Sequence, residues 1–195
     1  MKCIICKNEK FQKLRFIKEH SKYSGRKYDL LKCKKCGLIR PNPLPYTNED
    51  KNTIYNDSKN IKFYNSKTGK IEEDSFEYKY YFKHFRPFAK LIDKYNIQGK
   101  VLDVGCGAGH LMEVLLKKGL QVEGIEITSK LVKALSNNFK VYNAEIDSKK
   151  LKKESYNLIT ANQVLEHIEN PRLFIAAVKK ILKKEGYFIF SVPYL

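Results

Sequence analysis

The chain has 195 residues, 43% of them hydrophobic, enough for one full domain and a small module. It carries 38 Lys and Arg against 21 Asp and Glu, a formal net charge of +17. No apolar run reaches transmembrane length and Met1-Lys2-Cys3 opens no secretory signal, so the expectation is a cytoplasmic protein with reduced thiols and no membrane partner.

A basic excess of this size makes nucleic acid a partner to consider. The basic residues are mostly Lys, however, and they are spread through every segment beside abundant Asn and Ile. That pattern reads as a general compositional bias, and nucleic acid stays the lesser expectation.

Residues 1–45 hold Cys3-Ile4-Ile5-Cys6 and Cys33-Lys34-Lys35-Cys36-Gly37, two C-x2-C pairs with 26 residues between them. Cys3, Cys6, Cys33 and Cys36 supply the four thiolates of a closed, structural zinc site. Gly37 provides the left-handed turn after the second pair, and Asn8 is expected to tolerate the matching turn after the first. A disulfide pairing competes, but it needs an oxidising compartment. Alternation over Phe11 to Ile17 and Tyr28 to Lys32 predicts a small β ribbon, with His20 solvated. Pro41, Pro43 and Pro45 are expected to end regular structure.

Residues 46–76 are rich in Asn, Lys, Ser and Tyr and read as a linker, with Tyr55, Phe63 and Tyr64 packing it down. From Phe76 to Tyr95 the pattern is helical, with Tyr80, Tyr81, Phe85, Phe88, Leu91, Ile92 and Tyr95 available for a buried face.

Val101-Leu102-Asp103-Val104-Gly105-Cys106-Gly107-Ala108-Gly109-His110-Leu111 then reads as buried strand, tight turn and helix start. Glycines at alternate positions let a ligand lie against the backbone. A dinucleotide fingerprint needs its third glycine where His110 stands, so the spacing argues against that ligand class. Glu126 follows Gly105 by 21 residues, at the end of a strand predicted over Gln121–Ile127, where a carboxylate can accept both hydroxyls of a ribose. Cys106 needs no explanation beyond its small size.

The alternation continues. The first strand, Lys100–Val104, leads to a helix over His110–Lys118 that Gly119 stops. A helix from about Ser129 to Asn137 has Thr128 or Ser129 as cap, and a strand covers Lys140–Asn143. A fourth strand over Tyr156–Ala161 precedes the segment Asn162–Glu169. Asn170-Pro171 starts a helix whose apolar face is Phe174, Val178, Ile181 and Leu182, with Lys179, Lys180, Lys183 and Lys184 in water. Gly186 turns into a fifth strand over Tyr187–Val192. Successive β-α units predict a parallel sheet with ligands at the strands' carboxyl ends.

These segments together (VLDVGCGAGHL, GIEI, YNLITANQVLEHI and GYFIFSVP) resemble the class I S-adenosylmethionine-dependent methyltransferases over residues 99–195. The resemblance implies an α/β fold with a Rossmann-like, doubly wound, mostly parallel sheet of five strands behind the small β zinc ribbon. It implies S-adenosylmethionine as cofactor. Gly105, Gly107 and Gly109 would approach it, Asp103 would organise its amino group and Glu126 its ribose. Glu145 would face the adenine amino group, and Asn162 and Gln163 would border the methyl. Tyr80, Tyr81 and His84 sit where helices of the family approach the methionine end, although core packing explains them more simply. His167, paired with Glu166, is a candidate general base for which a structural role is preferred.

Two departures stand out. The acid usual at the start of the fourth strand is Asn157, which puts a supporting contact in doubt. No Asn-Pro-Pro-aromatic segment follows that strand, which argues against methylation of a base's exocyclic amine. The four-cysteine module with Gly37-Leu38-Ile39-Arg40-Pro41-Asn42-Pro43 looks like one found on bacterial methyltransferases acting on sugars and other small molecules. The expectation is methyl transfer to a small-molecule acceptor such as a sugar or cell-surface precursor. An RNA methyltransferase and a non-catalytic binding module are the alternatives.

The resembled fold has seven strands and this sequence reaches five. The domain over 77–195 is therefore expected to lack C-terminal strands and to self-associate through its exposed fifth strand.

Overall fold

The computed structural model describes residues 1–20, 27–43 and 76–193. The expected linker, apart from Phe76, lies outside them with its Tyr55, Phe63 and Tyr64, as do Pro45 and the side chains of His20 and Tyr81. The chain divides into two compact units, Met1–Asp57 and Ser58–Leu195.

In the first unit, alternating side chains give strands β1 (Phe11–His20), β2 (Lys27–Cys33) and β3 (Ile39–Asn42) in an antiparallel sheet of order β1-β2-β3. The expected ribbon has gained a strand, because Pro41 pairs with Leu30 where regular structure was expected to stop. Proline has no N–H to give a ladder, but β3 is the edge of this sheet and only one neighbour has to be satisfied.

In the second unit, α1 (Phe76–Lys94) precedes β4 (Lys100–Val104), α2 (His110–Lys117), β5 (Gln121–Glu126) and α3 (Ser129–Leu135). There follow β6 (Lys140–Asn143), β7 (Tyr156–Asn162), a 3-10 turn at Leu165–His167, α4 (Pro171–Ile181) and β8 (Leu182–Ser191). The five strands are ordered β6-β5-β4-β7-β8 and every neighbouring pair is parallel, as the β-α alternation requires.

Strand residues alternate between two cores. Val101 and Leu158 face Phe85, Phe88 and Ile92 of α1 and Leu111, Val114 and Leu115 of α2. Leu102, Val104, Ile159 and Ala161 face Phe174, Ala177, Val178 and Ile181 of α4. A sheet buried on both faces explains why its strands are continuously apolar. Tyr80 and Tyr95, expected on the buried face of α1, are instead exposed. Tyr80 stacks on His84 at 6.4 Å and Tyr95 packs on Tyr187 at 5.5 Å. The core-packing account of Tyr80 and His84 therefore fails, since both are exposed.

Two helix ends follow the local signals, whereas Thr128 stands at the N-cap of α3 without a capping hydrogen bond from its hydroxyl. Gly119, at φ 78°, ends α2 while its amide bonds the Leu116 carbonyl, and the Asn170 side chain caps α4 through Leu173 N–H at 3.3 Å. The α4–β8 junction differs from expectation. Tyr156 pairs with Leu182 and Leu158 with Tyr187, so five steps along β8 match two along β7. Lys183 and Lys184 therefore belong to an irregular strand start, and Gly186 lies inside β8. A Cβ on Gly186 would sit 2.8 Å from Leu182 and 3.1 Å from the Asn157 carbonyl, which leaves room for glycine alone.

Beneath the sheet, buried Glu123 accepts from Lys100 and Lys140, each at 3.0 Å, and from the Tyr156 hydroxyl at 2.7 Å. Burial alone would raise its pKa, but the Tyr156 hydroxyl and the two ammonium groups outweigh that and hold it low. Among the described residues no helix is long and apolar enough to cross a membrane.

Candidate functional site

The order β6-β5-β4-β7-β8 places the reversal of winding between β4 and β7, and in open α/β sheets ligands bind at that point, at the strands' carboxyl ends. Here β4 runs into the glycine loop. Gly105, Gly107 and Gly109 have φ of 64°, 53° and 80°, a backbone path that side-chain-bearing residues resist. A Cβ on Gly105 would press to 2.8 Å against Val164 Cγ2, whereas one on Gly107 would meet only the Gly105 carbonyl at 4.0 Å. The loop is thus packed at its base and open at its middle. Below it, Gly124 lets Cys106 and Met112 approach, each sulfur 2.9 Å from where a Cβ would stand. Cys106 is accordingly a buried packing residue, as its size suggested.

Glu126 ends β5 beside this loop. It is 7% exposed, and its carboxylate accepts Gly107 N–H at 3.0 Å and Thr128 N–H at 2.8 Å. Each oxygen keeps a further lone pair, so the carboxylate can also accept from a diol. Asn143, a residue the sequence reading missed, steadies this corner by donating to the Glu126 and Ile127 carbonyls at 2.9 Å. Thr128 is buried, and its hydroxyl has no hydrogen-bond partner among the described residues.

Asp103, at the end of β4, is 2% exposed and accepts the Thr160 hydroxyl at 2.7 Å. Burial pushes its pKa up to about 7 against the pull of that hydrogen bond, and the Glu126 charge adds to the rise. His110, opening α2, is kept neutral by burial, its pKa lowered to about 4.

Across the switch point, Asn162 and Gln163 end β7 and meet Ser191 of β8. Ser191 Oγ donates to Asn162 Oδ1 at 2.6 Å, and Gln163 Nε2 donates to Ser191 Oγ at 3.2 Å. Gln163 takes φ 55°, and its N–H bonds the Ser191 carbonyl at 3.1 Å. Ser191 had no signal beyond its place at the end of a strand.

Glu166 and His167 are exposed on the 3-10 turn, where His167 N–H bonds the Val164 carbonyl at 2.9 Å. Glu145 is exposed just after β6. Asn157, where an acid is usual in the resembled family, makes two contacts. Its Oδ1 accepts Lys100 N–H at 3.1 Å and Lys183 Nζ at 3.0 Å.

In the first unit the sulfurs of Cys3, Cys6, Cys33 and Cys36 lie within 4.8 Å of one another, with Cys3–Cys36 and Cys6–Cys33 at 3.6 Å. Thiolates bound at about 2.3 Å around a tetrahedral ion stand about 3.8 Å apart, so the donor set fits zinc. The thiols are free, their sulfurs standing well beyond the length of a disulfide bond. The two knuckles match: Lys7 N–H bonds the Cys3 carbonyl and Gly37 N–H the Cys33 carbonyl, each at 3.0 Å. The turn residue of the first knuckle is Lys7, at φ 62°, and not Asn8 as expected. The Asn8 side chain donates instead to Cys33 Sγ at 3.5 Å and to the Lys10 carbonyl at 2.7 Å. Backbone amides of its own knuckle, Cys36 first, lower the Cys33 pKa to about 6. The Leu38 amide favours the Cys36 thiolate, but burial and the three neighbouring thiols push Cys36 up to about 12.

The second unit's buried acids, open glycine backbone and orphaned Thr128 hydroxyl suit a ligand carrying an amine and a diol. The sequence profile of a family described as a methyltransferase domain matches residues 76–195. The chain is similar to the ubiquinone biosynthesis O-methyltransferase of Photobacterium profundum, 35% identical over 100 residues, covering 47% of this chain and 43% of the relative. It is 32% identical over 105 residues to the protein of that name from Bordetella avium, covering 49% and 44%. The chain thus spans less than half the length of these curated relatives. Among solved structures it resembles the PH0226 protein of Pyrococcus horikoshii, with TM-score 0.55 and 22% identity over 63% of this chain and 57% of that one. A SAM dependent methyltransferase from Archaeoglobus fulgidus gives TM-score 0.52 and 21% identity, over 62% and 56%. At these identities the structures speak for the fold alone.

Proposed function

Because the chain belongs to the methyltransferase-domain family, we propose that it transfers a methyl group from S-adenosylmethionine to a small-molecule acceptor. The observation that carries this reading is the buried Glu126 carboxylate bonded to Gly107 N–H, which ties the ribose-competent acid to the open middle of the glycine loop.

When bound, S-adenosylmethionine supplies a methyl group already activated by its sulfonium. The protein's task is therefore to hold and orient, and well-arranged proximity is worth roughly 7–11 kcal/mol at best. In this reading Glu126 accepts the ribose hydroxyls, Asp103 faces the amino group, and the backbone of Gly105, Gly107 and Gly109 lies along the ligand. Glu145 takes the adenine amine, and Asn162 and Gln163 border the methyl. His167, with Glu166 beside it, is the imidazole to test as a base. His167→Ala is expected to leave turnover within about threefold if the residue only supports its turn, and to lower it about a hundredfold or more if it moves a proton.

The relatives named as O-methyltransferases support an oxygen acceptor. Within that class, a sugar or cell-surface precursor is the acceptor type favoured by the resemblance of the four-cysteine module. Cys3, Cys6, Cys33 and Cys36 would hold a structural zinc. Methyl transfer from labelled S-adenosylmethionine to a panel of hydroxylated small molecules tests the assignment. Transfer to RNA alone would contradict it.

A further inference from the structure

The end of β7 carries a hydrogen-bond relay whose direction can be read. Gln163 Nε2 lies 3.2 Å from Ser191 Oγ, which lies 2.6 Å from Asn162 Oδ1. A carboxamide nitrogen only donates, so Ser191 accepts from Gln163 and its single proton goes to the Asn162 oxygen. The same serine's carbonyl accepts Gln163 N–H at 3.1 Å, which holds Gln163 at φ 55°, a conformation that needs outside support. With its oxygen taken, Asn162 has Nδ2 left to offer, and that nitrogen has no partner among the described residues. Asn162 is half-buried, and the segment runs on to Val164, whose side chain overhangs Gly105 of the glycine loop.

We infer that Ser191 is a positioning residue that fixes Asn162 Nδ2 as a hydrogen-bond donor to the methyl acceptor, and that the site thereby selects an oxygen nucleophile over a nitrogen one. The inference rests on the S-adenosylmethionine reading and adds to it the residues that set acceptor class. A hydroxyl or phenolate oxygen has more than one lone pair, so it can accept from Nδ2 with one and attack with another. A neutral amine has a single lone pair, and one spent on Asn162 cannot attack. In the transfer the new carbon–oxygen bond forms as the carbon–sulfur bond breaks. The sulfur keeps the electron pair, and the acceptor's proton leaves to water.

The test uses the full chain, with S-adenosylhomocysteine binding checked by calorimetry for each variant, and compares methyl transfer from S-adenosylmethionine to phenol and to aniline. Wild type is expected to methylate phenol about tenfold faster than aniline, the worth of one good hydrogen bond, because a nitrogen lone pair held by Asn162 cannot attack. Asn162→Asp, which puts an acceptor where the donor was, and Ser191→Ala, which removes the relay, should bring the ratio near one, while Ser191→Thr should keep it. Side-chain amide exchange by NMR reads the relay without cofactor: the Gln163 amide protons should exchange slowly in wild type and Ser191→Thr and rapidly in Ser191→Ala. No phenol preference in wild type, or a preference unchanged in Asn162→Asp or Ser191→Ala, overturns the inference. Failure of wild type to bind S-adenosylhomocysteine sinks the cofactor reading instead, and the amide exchange pattern still decides the relay.

Discussion

At the scale of single residues, the informative side chains are buried acids, and they differ in how many donors they meet. Asp103 has one hydrogen bond, from Thr160, and its pKa is raised to about 7 chiefly by burial. Unfolded, a carboxyl titrates near pH 4, so between about pH 4 and pH 7 the folded chain holds a proton that the unfolded chain has lost. Stability from this group therefore falls as pH rises through that window, and the loss persists above it. Asp103→Asn should flatten this part of the profile, read by denaturant unfolding at about pH 4, 6 and 8. Parallel profiles would contradict the burial argument. Glu123 works in the opposite sense, since its lowered pKa gives stability that is present at neutral pH and lost only in acid. The placement of Asp103 and Glu126 beside the glycine loop was legible because each lies at the end of an apolar strand next to glycine or a helix start. Glu123 and Ser191 were not, because their partners come from other strands and meet only when the sheet closes. Lys7 was illegible for another reason: the knuckle's hydrogen bonds impose φ 62° on whatever residue stands there.

At the scale of elements, Gly124 below the loop and Gly107 in its middle should respond differently. Gly124→Ala would drive a Cβ to 2.9 Å from both the Cys106 and Met112 sulfurs. It should cost about 1–3 kcal/mol of stability as an overpacked core. Gly107→Ala meets open space but takes a left-handed φ of 53°. It should cost about 1–2 kcal/mol in folding and, through the new methyl, still more in ligand affinity. Thermal unfolding and calorimetry with S-adenosylhomocysteine separate the two, and equal ligand affinities for Gly107→Ala and wild type would contradict an open loop. The strand and helix order of the second unit was readable from β-α alternation, and β4 and β6 fall on their expected bounds. The start of β8 was not. Lys183 and Lys184 continue the helical pattern of α4, yet pairing of Leu182 with Tyr156 captures the chain first. Pro41 likewise reads as a stop until β2 offers it an edge.

At the scale of the whole molecule, each unit has its own expected dependence. Freshly purified, reduced protein should carry close to one zinc per chain, and chelation or Cys33→Ser should unfold the first unit, because metal binding supplies most of the folding energy of such a module. Metal analysis finding no zinc would remove that site. The charge of +17 is a property of the full chain, and RNA binding, if present, should weaken steeply with salt. Salt-insensitive or absent binding would leave the lysines as solvated surface. As proposed above, the second unit is built around S-adenosylmethionine, held by the glycine loop and Glu126. The most direct measurement is calorimetric titration of wild type and Glu126→Ala with S-adenosylhomocysteine and with NAD. Wild type should bind S-adenosylhomocysteine at one per chain, weakened by about 1–3 kcal/mol in Glu126→Ala, and give no heat with NAD. Binding of NAD with no response to S-adenosylhomocysteine would contradict that proposal.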